Sequence, residues 1–163
     1  MPGGRNMRQA YRLEVVRTKI AEPTAAMNSP SAVCQRYAYM QKFDRERVIR
    51  LDLDNKNRLI GEETVAIGIG EAAIMSPREV FRGALLNGAT RVIVLHNHPS
   101  GDPTPSAEDQ EIVRTLRAAG RLLAIPVLDF VIIGEDGRYW SANDTDEGFE
   151  GHAVGVAAHG WER

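Results

Sequence analysis

The stretch RVIVLHNHPSGDPTPSAED, residues 91–109, joins three kinds of local sequence. Its first part, Arg91–Leu95, is short and almost entirely apolar, which predicts a central strand covered on both faces. Residues 96–105 are polar and rich in Pro and Gly, which is typical of a loop. From Ser106 a helix is predicted, because apolar side chains recur at helical spacing on one side, at Ile112, Val113, Leu116 and Ala119. The stretch therefore reads as strand, loop and helix.

Upstream of this unit the sequence predicts a β-hairpin followed by a helix. From Glu46 onward apolar and polar residues alternate, with Ile49, Leu51 and Leu53 on one face and Arg50, Asp52 and Asp54 on the other. A turn signal at 54–57 leads into a second strand over Arg58–Ile67. Ser76, Pro77 and Glu79 form a capping-box pattern that begins the helix, and Asn87-Gly88 ends it.

The flanking segments complete the predicted fold. A strand is predicted over Tyr11–Lys19, and a short helix over Ala32–Met40 with Ser29 or Ser31 as its cap. Downstream, a strand over Val127–Ile133 turns at 134–137 into Arg138–Trp140. This order predicts an α/β (α+β) fold, in which helices sandwich a mixed sheet with antiparallel hairpins, and excludes a regular doubly wound sheet.

Length and composition fit one domain. The 163 residues contain no apolar run approaching the ~18 residues of a membrane span, so no membrane association is expected. We expect a flexible arm over 1–10, the domain over 11–141, and a flexible tail over 142–163. The start of the sequence lacks the apolar region of a secretory signal, and the lone Cys34 excludes an internal disulfide and a Cys-based zinc site. A reducing, cytoplasmic setting is the expectation.

The loop carries a candidate metal site. His96 and His98 are separated by one residue at the end of an extended strand, so their rings are expected on the same side. Asp109 lies in the first turn of the next helix, where the dipole favours a carboxylate. Two histidines and a carboxylate leave a fourth position open, as in catalytic zinc sites. Alternatively, the histidine pair occurs by chance, and Ser106 with Asp109 is only a helix cap.

The spacing resembles a known signature. H-x-H, seven residues, Ser, two residues and Asp is the pattern of JAMM (MPN/JAB) metalloprotease-type domains, which His96, His98, Ser106 and Asp109 match without a gap. The wider string HNHPSGDPTPSAED, preceded by SPREVFRGALLNGA, resembles the bacterial RadC family, particularly its short members without a helix-hairpin-helix region. The likeness extends from about residue 11 to residue 140. It implies a JAMM/MPN architecture, which is cytidine-deaminase-like.

The resemblance also implies roles for individual residues. His96, His98 and Asp109 would bind one Zn²⁺ per chain, and Ser106 would help to stabilise the oxyanion. JAMM enzymes use an upstream glutamate as general base, and the family pattern selects Glu46.

Three further residues bear on this assignment. Glu62 and Glu63 on the next strand are the rivals of Glu46 for the role of base. RadC-like chains usually carry a histidine where this one has Phe130, which cannot support the metal site by hydrogen bonding.

Three functions follow from the sequence. The leading one is a zinc-dependent metallohydrolase that cleaves a peptide or isopeptide bond in a peptide or protein substrate. The second is a DNA-repair or mobile-element accessory protein that contacts DNA, although a formal net charge of −2 does not favour nucleic acid as a partner. The third is a catalytically silent MPN-like interaction module. The sequence leaves the oligomeric state open, a homodimer included.

Overall fold

The fold is a five-stranded mixed sheet with helices on both faces. The computed structural model describes residues 26–68 and 75–144. The strands are β1 (Arg47–Leu53), β2 (Leu59–Ile67), β3 (Arg91–Asn97), β4 (Val127–Ile133) and β5 (Tyr139–Ser141). The helices are α1 (Pro30–Arg36), α2 (Pro77–Asn87) and α3 (Ala107–Leu122), with a 3-10 turn over Ala38–Lys42. The predicted arm, the predicted strand over Tyr11–Lys19 and residues 145–163 of the predicted tail lie outside the described residues.

Strand β3 lies at the centre of the sheet, whose order is β2-β1-β3-β4-β5. β1 pairs antiparallel with both β2 and β3, β3 pairs parallel with β4, and β4 pairs antiparallel with β5. The parallel pair is joined through α3, as parallel strands require a crossover. The predicted mixed sheet with antiparallel hairpins is confirmed.

Each face of the sheet has its own apolar core. Beneath α2 and α3 the core includes Phe81, Val94, Leu116 and Phe130. On the opposite face, which α1 and the 3-10 turn cover, it includes Met40, Leu51, Leu95 and Val131. Burial of a side chain of this size stabilises the fold by about 1.5–3 kcal/mol. The residues of β3 between Val92 and Leu95 are fully buried, as its apolar sequence predicts.

The polar face of β1 is buried rather than solvated. Arg50 and Asp52 are only 2% and 1% exposed, beneath α2. The Arg50 guanidinium donates to both carboxylate oxygens of Asp52 (2.6 and 3.0 Å) and to the Val80 carbonyl (2.9 Å), and pairs with Glu63 (2.8 Å). Asn87 donates to Asp52 at 2.9 Å. The burial of Arg50 and Asp52 is tolerated because the bidentate pair and the additional hydrogen bonds satisfy both charged groups.

The predicted helix boundaries are partly correct. Ser29 caps α1 by accepting the Ala32 N–H (3.1 Å), but α1 ends at Arg36 and a 3-10 turn continues to Lys42. The tighter turn still buries Met40, the last residue of the predicted helix. The capping box at Ser76 is wrong, since that side chain makes no capping hydrogen bond.

Two further features concern the ends of elements. Gly88 ends α2 in the left-handed conformation (φ +71°), as expected for a glycine after a helix. The packed structure continues past the predicted domain end at residue 141, since the Ala142 N–H binds the Phe130 carbonyl at 3.0 Å.

Among the described residues, no helix is long and apolar enough to cross a membrane.

Candidate metal centre

Three elements bring the site residues together. His96 lies near the end of β3, and His98 follows one residue after its last position. Since β1 is antiparallel to β3 and Val48 pairs with His96, Glu46 just before β1 lies close to the two histidines. Asp109 enters from the first turn of α3.

The two imidazoles lie side by side, as predicted. Their ring centroids are 4.9 Å apart, and the ring planes are nearly perpendicular (85°). Nε2 of His96 lies 3.7 Å from Oδ1 of Asp109, and Nε2 of His98 lies 3.4 Å from Oδ2. Two ligand atoms that bind one tetrahedral zinc ion at ~2.0–2.1 Å are themselves about 3.3 Å apart. Each imidazole nitrogen thus lies near a different oxygen of Asp109, at a separation close to that spacing.

Glu46 belongs to the same cluster. The cluster consists of three atoms: one carboxylate oxygen of Glu46, one ring nitrogen of His96 and one ring nitrogen of His98. All three lie within 4.8 Å of one another and could hold a metal ion. The rival glutamates bind elsewhere: Glu62 accepts the hydroxyl of Tyr37 (2.6 Å), and Glu63 pairs with Arg50. Among the three candidates for general base, only Glu46 is in the cluster.

Ser106 and Asp109 form a capping box that also faces the histidines. Oδ2 of Asp109 accepts from the backbone N–H (2.8 Å) and the hydroxyl (2.7 Å) of Ser106, whose Oγ accepts the N–H of Asp109 (3.0 Å). The two interpretations of this pair, helix cap and metal site, are thus compatible in one geometry. In this structure the Ser106 hydroxyl holds the carboxylate.

The protonation states of His96 and Asp109 favour cation binding. Burial lowers the pKa of His96, which is 3% exposed, to about 4, so its imidazole is neutral at pH 7. Burial opposes the charge of Asp109, but the interaction with His98 and the hydrogen bonds from Ser106 lower the pKa of Asp109 to about 2. Neutral imidazole and ionised carboxylate are the ligand forms that zinc takes.

Glu46 and His98 shift in the opposite direction. Burial raises the pKa of Glu46, with a further contribution from Asp109 and opposition from His98. Burial opposes the charge of His98, yet Asp109 and the Asp102 carbonyl together raise the pKa of His98 above its ordinary value. A carboxylate with a raised pKa is a better proton acceptor near neutral pH.

The outer nitrogens of the two imidazoles differ. Nδ1 of His98 lies 2.8 Å from the Asp102 carbonyl oxygen, which can only accept, so neutral His98 presents the lone pair of Nε2 to the site. Nδ1 of His96 is buried, and no atom of the described residues is placed to form a hydrogen bond with it, although the backbone of Arg47 raises the pKa of this imidazole against the larger effect of burial. The Phe130 ring lies 6.4 Å from the His96 ring, between centroids, where it offers no hydrogen bond.

The loop that carries His98 is tied to the turn between β4 and β5. Gly101 (φ +79°) donates its N–H to the His98 carbonyl (2.9 Å), and its own carbonyl accepts from the Glu135 N–H (2.9 Å) and the Arg138 guanidinium (3.2 Å). Gly134 packs so closely that an added Cβ would lie 2.6 Å from the Gly101 oxygen. Sequence reasoning missed this contact, because more than 30 residues separate its partners.

The fold and the site together define a JAB-type (JAMM/MPN) domain. The central strand of a mixed sheet ends at two histidines, and these face a carboxylate at the start of a helix. The chain belongs to the RadC family, since the model of the RadC-like JAB domain matches residues 27–148.

Relatives in archaea and bacteria support the assignment. The chain is 47% identical over 141 residues to a UPF0758 protein of Methanosarcina mazei, covering 86% of this chain and 59% of that protein. It is 43% identical over 114 residues to a UPF0758 protein of Thermotoga maritima, covering 70% and 50%. A UPF0758 protein of Geobacter sulfurreducens is 48% identical over 114 residues, covering 69% and 49%. The chain thus spans half to three fifths of the length of these relatives, whose names state no activity.

Proposed function

We propose that this chain is a zinc-dependent hydrolase of the JAMM type that cleaves a peptide or isopeptide bond in a peptide or protein substrate. The observation that carries the proposal is the joint placement of four side chains. Two imidazole nitrogens lie 3.7 and 3.4 Å from the oxygens of Asp109, and a second carboxylate, that of Glu46, lies within 4.8 Å of the histidines. A scaffold has no physical need for two carboxylates of different protonation behaviour at one histidine pair.

The two carboxylates divide the roles of ligand and base. We assign Asp109 as the third ligand, because its two oxygens lie 3.7 and 3.4 Å from the imidazole nitrogens and its low pKa keeps it charged. Glu46 is the general base, because its pKa is raised and its carboxylate lies beside the two imidazoles, just before β1.

The chemistry follows from these roles. Zinc, when bound, supplies Lewis acidity that polarises a carbonyl and acidifies water. Glu46 accepts the proton of the attacking water and delivers it to the leaving amine. His96, His98 and Asp109 hold the ion. Ser106 orients Asp109, and its hydroxyl stabilises the oxyanion only after turning from the carboxylate towards the substrate.

Substrate profiling tests the proposal. Peptide and isopeptide libraries are incubated with the zinc-loaded wild type, Glu46→Gln and Glu62→Gln. We expect cleavage by the wild type and by Glu62→Gln, a matched variant outside the cluster, and a loss of about 10²–10⁴-fold in Glu46→Gln with zinc retained.

Two results would count against the hydrolase. Equal cleavage by wild type and Glu46→Gln would remove Glu46 from the mechanism. Absence of any cleavage, together with salt-dependent binding to DNA, would favour the accessory-protein alternative, because DNA contacts release counterions. Absence of both would favour the silent interaction module.

A further inference from the structure

Asn97, the residue between the two histidines, holds the chain on both sides of Glu46. The backbone ladder between β1 and β3 ends at the pair of Val48 and His96. Beyond it, Oδ1 of Asn97 accepts the N–H of Arg47 (2.8 Å), and Nδ2 of Asn97 donates to the carbonyl of Arg45 (3.2 Å). The side-chain amide thus supplies the donor and acceptor that a further residue pair of the ladder would supply.

The two bonds bracket Glu46 without touching its side chain. They fix the peptide groups before and after it, while the Gly68 N–H, following β2, binds the Glu46 carbonyl at 2.7 Å from the other side. Asn97 is itself fully buried (0% exposed), so its amide has no water with which to exchange these partners. The backbone at Glu46 is therefore held from two directions.

We infer that Asn97 is a positioning residue, which acts on hydrolysis by fixing the backbone of Glu46 beside the metal ligands. The inference rests on the proposed function, in which Glu46 is the base. The pairing of β1 with β3 does not depend on the Asn97 side chain, since six backbone pairs from Val48–His96 to Leu53–Arg91 already join these strands. A displacement of a catalytic group by about 1 Å can lower the rate about 100-fold. The two hydrogen bonds that hold the backbone on either side of Glu46 therefore affect the rate of hydrolysis directly.

The test compares Asn97→Leu, which removes both hydrogen bonds at similar volume, with Asn97→Asp, which keeps the acceptor for the Arg47 N–H. Thr90→Val is the matched control, because Thr90 tethers the Leu53 carbonyl (3.1 Å) at the far end of the same strand pair. The readouts are hydrogen exchange of the Arg47 amide, zinc affinity by chelator competition, and hydrolysis in wild-type and Glu46→Gln backgrounds.

For Asn97→Leu we expect exchange of the Arg47 amide to accelerate about tenfold or more, with zinc affinity within about threefold of wild type. We expect kcat to fall about 30-fold or more with KM unchanged, and no further fall when Glu46→Gln is already present. Asn97→Asp should retain protection of the Arg47 amide, and Thr90→Val should match wild type in all three readouts.

Three results would overturn the inference: unchanged exchange of the Arg47 amide in Asn97→Leu, a tenfold loss of zinc affinity, or an equal loss of activity with and without Glu46. If Asn97→Leu does not fold, an unprotected Arg47 amide or tenfold weaker zinc binding in Asn97→Asp overturns it. Should the wild type hydrolyse nothing, the proposed function fails, while exchange and zinc affinity still decide whether Asn97 fixes the backbone at Glu46.

Discussion

Val48 of β1 lies directly opposite His96 of β3, and this pairing sets the position of Glu46 relative to the histidines. Because the strands are antiparallel, the residue two positions before Val48 meets the residue two positions after His96, which is His98. A slip of one residue would turn one strand's side chains to the opposite face of the sheet. The buried apolar residues of β1 and β3 exclude that slip, so core packing sets the positions of Glu46 and the two histidines.

We expect His96→Ala to lose zinc and Ser106→Ala to keep it. In the proposed site His96 supplies a ligand atom, whereas Ser106 orients Asp109 and offers its hydroxyl to the oxyanion. Loss of the Ser106 hydroxyl should lower the free energy of unfolding by about 0.5–2 kcal/mol and slow hydrolysis by about 100-fold or more. Ser29→Ala, which removes the cap of α1, should have the same stability cost without the kinetic one. Metal analysis, urea unfolding and rates check this; equal zinc in His96→Ala and Ser106→Ala contradicts it.

Gly134→Ala should weaken zinc binding, although Gly134 touches no ligand. An added Cβ would press on the Gly101 carbonyl and on Pro103, and would displace the loop that carries His98. We expect a loss of affinity on the order of tenfold, measured by chelator competition. Gly137→Ala is the control: it strains the same turn (φ +72°) by roughly 1–2 kcal/mol, but no atom of the described residues lies within 4 Å of its added Cβ. Equal affinities in the two variants would disprove the anchoring role.

Asp129 should make stability depend on pH. Burial raises its pKa to about 7, although Ser141, Asn143 and the Phe130 N–H donate hydrogen bonds that favour the charged form. An unfolded aspartate titrates near ~3.9, so the folded state retains the proton over the window between. The contribution of Asp129 to the free energy of unfolding is therefore greatest below about pH 4, falls as pH rises to about 7, and is flat above. Urea unfolding of wild type and Asp129→Asn at pH 4.5, 6 and 8 checks this; a constant difference between the two would refute it.

Removing Arg50 should be severely destabilising. Arg50→Met leaves Asp52 buried and without its bidentate partner, which typically costs about 3–5 kcal/mol. The exposed pair of Arg78 and Glu79 serves as the comparison, since Arg78→Met should change the free energy of unfolding by no more than about 1 kcal/mol. Urea unfolding measures both, and a loss below 1 kcal/mol for Arg50→Met would show that Asp52 finds another partner.

The convergence of His96, His98 and Asp109 was predictable because local sequence determines it. A strand end places His96 and His98 on one side, and a helix start places Asp109 at its third position, so the convergence of the three needs only the loop between. Glu46 was different. Its position near the histidines depends on the pairing of β1 with β3, which are about 50 residues apart in the sequence. Local periodicity does not reveal such pairing, and only the family resemblance selected Glu46 over Glu62 and Glu63.

What the sequence did not predict consists of long-range polar contacts. The amide of Asn97 between Arg45 and Arg47, and the Gly101 carbonyl on Glu135 and Arg138, join segments far apart in the chain. The alternation in β1 correctly marked a polar face, but whether α2 or solvent would cover Arg50 and Asp52 depends on packing that periodicity does not encode.

The bonds between Ser106 and Asp109 have a consequence for assembly. The hydrogen bonds that begin α3 also point the Asp109 carboxylate at the imidazoles, so the first turn of this helix orders that side chain. In the proposed zinc site, the carboxylate is therefore oriented before the ion binds.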